Sequence, residues 1–129
     1  METEQLIKYW IESSNEDFPL INDLFDKGYF LWSLFITHLV VEKLLKACYT
    51  KNIDNDVPKI HNLLVLSKKV NLNLDSSQLK LLDTLNLFQI SARYPDYKNK
   101  MNKLCSREYT EELIKKSKEF IEWLKSQLK

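Results

Sequence analysis

Between residues 29 and 50 the chain reads YFLWSLFITHLVVEKLLKACYT, the most apolar segment of the sequence. On a helix its hydrophobic residues would lie nearly all round, which marks an element packed on several sides at the centre of a bundle. The polar exceptions are ordered: His38, Glu42 and Lys46 fall four residues apart and so stack along one stripe. Upstream, from about Thr3 to Lys27, the residues Leu6, Trp10, Phe18, Ile21 and Phe25 recur at roughly helical spacing. Pro19 lacks a backbone donor and crowds the preceding turn, so a kink or short break is expected near Ser14–Pro19. Gly28, the sole glycine, stands where a helix C-terminus needs a left-handed residue.

Residues 51–57, KNIDNDV, are polar and read as a loop. Pro58 is expected to start a short third helix through about Val70, with Ile60, Leu63, Leu64 and Leu66 inward. Asp75 with Gln78 resembles a capping box for a fourth helix, from Ser76 to about Ser91, with Leu82, Leu85 and Phe88 on one face. SARYPDYKNK, residues 91–100, reads as a loop in which Pro95 biases Tyr94 towards extended backbone and ends the fourth helix near Arg93. A last helix spans about Ser106 to Leu128, where Tyr109, Leu113, Phe120, Leu124 and Leu128 form a stripe. No internal repeat or linker interrupts the pattern. The expectation is an all-α bundle of four to five helices forming one domain over residues 1–129.

Composition narrows this further. One glycine and three prolines are too few for an all-β protein built on tight turns. Ser33, Thr37, His38, Glu42, Lys43 and Lys46 interrupt the apolar segment, so no run is long enough to cross a bilayer. The acidic start METEQLIKYW is unlike a signal peptide. Cys48 and Cys105 lie far apart without a C-x-x-C pair, which fits reduced thiols in a cytoplasmic protein. The net charge of +1 hides an asymmetry, since residues 1–97 sum to −3 and residues 98–129 to +4. A basic end of this size suits a polyanion or the acidic end of a neighbouring subunit, but a solvated lysine-rich helix face is the commoner arrangement.

Three groups of residues carry candidate chemistry. His38 and Glu42 have an i, i+4 spacing that can serve a metal, but the only other histidine is His61 and no H-E-x-x-H occurs, so the stripe reads as a supporting polar network with no metal. Glu42 amid apolar residues needs a partner, which Lys46 one turn on or Arg93 could supply. No glycine-rich phosphate loop and no G-x-S-x-G is present, and nothing local announces a catalytic nucleophile or a cofactor. The 91–100 segment is the third group. Arg93 offers a planar fork for phosphate, Tyr94 and Tyr97 offer faces on which a base can stack, and Lys98, Lys100 and Lys103 add positive charge. Together they suit a nucleotide or single-stranded RNA contact. Composition alone favours the plainer reading, in which Arg93 pairs with Asp96 or Glu42, the tyrosines pack and the lysines are solvated.

Four blocks in order, YWIESSNEDF, LFITHLVVEKLLKACY, PKIHNLL (58–64) and LNLFQISARYPDYK, resemble the HEPN domain proteins of bacteria and archaea over about residues 8–124. The resemblance implies an up-and-down helical bundle, commonly a homodimer with a shared site near the two-fold axis. Such proteins are often paired with a minimal nucleotidyltransferase in toxin–antitoxin-like couples. Many are metal-independent endoribonucleases, whose motif is an arginine followed after four to six residues by a histidine. Arg93 matches the arginine, but Lys98, Asn99 and Lys100 stand where the histidine would follow; after Arg107 stand Glu112, Leu113 and Ile114. The resemblance therefore implies a non-catalytic module binding a nucleotide, RNA or a nucleotidyltransferase through a groove around Arg93. The alternative is an endoribonuclease with an atypical motif. The three tryptophans and six phenylalanines also leave aromatic surface for a dimer contact.

Overall fold

The computed structural model describes residues 2–129, without the Pro95 side chain. Six helices follow in order: α1 (Thr3–Asp26), α2 (Phe30–Asn52), α3 (Leu63–Lys69), α4 (Ser76–Ser91), α5 (Pro95–Leu104) and α6 (Arg107–Gln127). The protein is an all-α bundle, and α2 is its axis: α1, α3, α4, α5 and α6 all pack on it. Fourteen of the residues of α2 are buried, among them Leu34, Val41, Leu44 and Leu45, which are fully sealed. One hydrophobic core joins them to Ile21 of α1, Leu63 and Leu66 of α3, Leu82, Leu85 and Phe88 of α4, and Ile121 and Leu124 of α6.

Local chemistry explains where these helices begin and end. At the α1–α2 turn Gly28 takes a φ of 82°. Its N–H donates to the Phe25 carbonyl at 3.0 Å, and the Tyr29 N–H donates to that of Leu24 at 2.9 Å. These are the two bonds of a Schellman stop, which needs the left-handed residue at that point. The Asp75–Gln78 box forms as expected: Asp75 Oδ1 accepts from the Gln78 N–H at 2.8 Å, and Gln78 Oε1 accepts from the Asp75 N–H at 2.9 Å. Ser106 caps α6 by accepting from the Tyr109 N–H at 3.1 Å.

The structure departs from the sequence expectation in four places. The described residues form six helices rather than four to five, because most of the segment read as a loop is α5. The proline that stops α4 sits in the first turn of α5, where its missing N–H would have no intrahelical partner anyway. Tyr94 is extended (φ −115°, ψ 122°) and its carbonyl accepts from the Lys98 N–H at 2.9 Å, so it is the cap of the new helix. α1 runs unbroken through Pro19; Ser14 and Ile21, fully buried on either side, hold it down despite the lost hydrogen bond. α2 continues to Asn52, taking in the first two residues of the expected loop. α3 starts at Leu63 rather than Pro58, because the Asn62 side chain caps it by accepting from the Val65 N–H at 3.2 Å.

Candidate functional site

The stripe along α2 is buried from end to end: His38, Glu42 and Lys46 are 0%, 5% and 6% exposed. Lys46 Nζ lies 3.1 Å from Glu42 Oε2, forming the ion pair expected from their spacing. Its ammonium also stands over the Trp10 ring, 5.4 Å from the centroid. Glu42 gains a second partner from outside the helix, since His61 Nδ1 lies 3.1 and 3.3 Å from its two oxygens. His38 Nδ1 is 3.9 Å from the same carboxylate, and among the described residues neither ring nitrogen of His38 reaches a partner at hydrogen-bonding distance. Burial pushes the His38 pKa down to about 4, while the Glu42 carboxylate and the His61 backbone pull weakly the other way. At neutral pH this imidazole is uncharged. Among the described residues no three histidine, cysteine or acidic side chains are grouped to hold a metal, and Lys46 already supplies the positive charge beside Glu42.

The second cluster lies at the surface where α4 meets α5. Arg93 is exposed, and among the described residues it makes no ion pair, with Glu42 and Asp96 included. Its guanidinium instead sits over the Phe35 ring, 5.5 Å from the centroid. Phe35 packs edge-on against Trp32 at 5.8 Å, and Lys98 Nζ stands 5.4 Å from the Trp32 centroid. Tyr94 and Tyr97, 56% and 55% exposed, meet edge to face at 6.5 Å. Lys100 is exposed beside them. Arg93, Tyr94, Tyr97, Lys98 and Lys100 thus share the α4–α5 junction, and cation–aromatic contacts join two of them to α2.

Sequence reasoning missed two members of this surface, Trp32 and Phe35. Their signal was present: they fall three residues apart near the start of α2, so they share a face. It was masked because α2 is apolar on every side. His61 stood in the sequence only as the other histidine of the chain. Its ring reaches Glu42 across 19 residues of sequence.

Arg93 and the buried stripe are neighbours. Phe35, His38 and Glu42 follow one another on one face of α2, and the Arg93 and His61 charges both disfavour protonation of the His38 ring between them. Two hollows lie elsewhere. One of about 750 Å³ separates α4 from α6 and is floored by Leu81, Leu113 and Phe120. The other, about 620 Å³, lies between α1 and α6 beside Phe25 and Ile114. Both thiols are buried, with pKa values pushed up to about 12 for Cys48 and about 11 for Cys105, so neither is a nucleophile at neutral pH. No helix among the described residues is long and apolar enough to cross a membrane.

Comparison with known protein families matches the HEPN domain over residues 7–127. No curated protein and no solved structure matches the chain.

Proposed function

The chain belongs to the HEPN domain family, and from that premise we propose that it binds single-stranded RNA or a nucleotide through the surface around Arg93. The observation that carries this reading is the exposed Arg93 guanidinium over Phe35, unpaired with any described acid, beside Lys98 over Trp32 and two half-exposed tyrosines. An unpaired fork is free to take phosphate oxygens in parallel hydrogen bonds. The aromatic faces next to it suit bases, which stack regardless of sequence. Lys100 extends the positive charge along the same strand path. Because Lys98, Asn99 and Lys100 occupy the positions of the motif histidine, this proposal is one of binding.

The partner expectations rest on the family alone: a homodimer in the cytoplasm, and a nucleotidyltransferase as the second member of a toxin–antitoxin-like couple. They add no residue to the site.

Fluorescence polarisation with labelled single-stranded RNA, and with mononucleotides as competitors, tests the reading. Charge-assisted hydrogen bonds are worth about 1.5–3 kcal/mol, so Arg93→Ala should weaken binding by about tenfold to a hundredfold. Absence of binding to either ligand, or equal affinity in wild type and Arg93→Ala, would remove the proposal.

A further inference from the structure

We propose that Arg107, at the start of α6, is a second phosphate anchor of the surface around Arg93, and that the ligand is a single-stranded RNA segment laid along α5, not a mononucleotide. This inference rests on the binding surface proposed above. It adds a residue to that surface and gives its ligand a minimum length.

The chain has two arginines, Arg93 and Arg107, and both are placed the same way. Arg107 is exposed, and its guanidinium stands over two rings at once, 5.1 Å from the Phe25 centroid and 5.4 Å from that of Phe30. Those rings meet at 5.3 Å across the Gly28 turn. Glu111 stands one turn on from Arg107, at a spacing that forms ion pairs on helices. Yet among the described residues Arg107 makes no ion pair. A guanidinium that rests its face on a ring keeps its in-plane N–H groups for a phosphate. Arg93 over Phe35 has the same disposition.

The two arginines mark the two ends of α5, whose ten residues span about 15 Å. Lys98 lies between them. The three cations take aromatic partners in order along α2: Arg93 on Phe35, Lys98 on Trp32 and Arg107 on Phe30. α5 therefore runs back along the first turns of α2, with one guanidinium at each end and an ammonium between. A single stripe joins the ends. Tyr94, Tyr97, Met101 and Leu104 recur at spacings of three, four and three, so they share one face. Tyr94, Tyr97 and Leu104 are about half exposed, and Tyr29, equally exposed, precedes Phe30 at the Arg107 end. Phosphate anchors at both ends with aromatic faces beside them suit a strand that continues from one to the other. A stacked strand advances about 3.4 Å per nucleotide, so a path of about 15 Å takes about four nucleotides. One nucleotide reaches only one anchor.

The plainer account makes Arg107 a clasp that holds α6 to the α1–α2 turn. Such a clasp needs contact with Phe25 and Phe30, which leucine supplies, and gains nothing from an unpaired charge left in water. The two accounts therefore part on charge and on ligand length.

The test measures fluorescence polarisation of labelled oligouridylates of two, four, six and eight nucleotides with the full chain, as wild type, Arg93→Ala, Arg107→Leu and Arg107→Gln. Wild-type affinity should rise about tenfold or more from two nucleotides to about four or five and then level off. Arg107→Leu should weaken binding of the six-nucleotide RNA about tenfold, lower its salt slope by about 0.7, and leave the two-nucleotide RNA within about twofold. Arg107→Gln, which loses the charge but stays polar, should match it, so that a packing fault in one variant does not decide the outcome. Arg93→Ala should weaken both lengths, since Tyr94 and Tyr97 stack bases at that end. Equal losses at both lengths in the Arg107 variants would mark a structural clasp and overturn this inference, leaving the binding reading in place. Affinity that stops rising at two nucleotides would overturn it too, as would a six-nucleotide RNA held equally by wild type and both Arg107 variants. Failure of every length to bind would remove the binding reading first, and this one with it.

Discussion

Glu42 and Arg93 both answer to α2, yet they stand at opposite ends of a burial scale. Glu42 is 5% exposed and held by Lys46 and His61; Arg93 is exposed and rests on the face of an aromatic ring. A charge taken from water is committed to its partners, because losing one leaves the other buried and uncompensated. A charge left in water keeps its hydrogen-bonding capacity for a ligand. The sharpest break of this comparison is to delete one charge from each side. Glu42→Ala strands Lys46 in the core and should cost about 3–5 kcal/mol in urea unfolding, whereas Lys98→Ala should stay within about 0.5 kcal/mol. Replacing the pair together, Glu42→Leu with Lys46→Met, should cost far less than Glu42→Ala. Equal losses for the Glu42 and Lys98 variants would erase the distinction.

His38 gives the next largest effect and separates the two regions by pH. Its folded pKa of about 4 lies below its unfolded value of 6.5, so the unfolded chain takes up the proton first as pH falls. Its contribution is complete above about pH 6.5 and is lost progressively towards pH 4, up to about 3 kcal/mol in all. Melting temperatures measured at intervals from pH 7 to pH 4 should fall with acid in wild type. His38→Leu, which removes two unpartnered ring nitrogens, should flatten that part of the curve. An unchanged slope in the variant would place the acid sensitivity elsewhere.

The same contrast governs what could be read from the sequence. Elements fixed by neighbours in sequence were legible: the Gly28 stop, the Asp75–Gln78 box, the ends of α4, and the Glu42–Lys46 pair one turn apart. Pro95 was read for one of its two effects. It does end α4 by forcing Tyr94 to be extended, but the same fixed φ suits the first turn of a helix, and Asp96 in that turn favours the helix dipole. The start of α3 was misplaced because Pro58 was read as its first turn, whereas the Asn62 side chain caps the helix five residues later at Leu63. Composition left Arg93 either as a phosphate fork or as the partner of Glu42 or Asp96, since charge alone says nothing of reach. Its stacking on Phe35 and the contact from His61 to Glu42 depend on how α2 lies against α3, α4 and α5. No local spacing encodes that.

The smallest effect tests the exposed side from within. Lys100 and Tyr97 both belong to the α5 surface, and the proposed ligand would use them differently. A lysine near a phosphate releases a bound counterion, so each such contact adds about 0.7 to the slope of log affinity against log salt for single strands. A tyrosine under a base contributes stacking, about 1–3 kcal/mol by alanine substitution and nearly indifferent to salt. Lys100→Ala should therefore lower the salt slope by about 0.7 and change affinity little at high salt. Tyr97→Ala should lower affinity by about fivefold or more at every salt concentration without changing the slope. Titrations from low to moderate salt distinguish the two directly. If Tyr97→Ala altered the slope and Lys100→Ala did not, the strand would run across this surface in another direction from the one drawn through Arg93, and the phosphate and base sides would have to be exchanged.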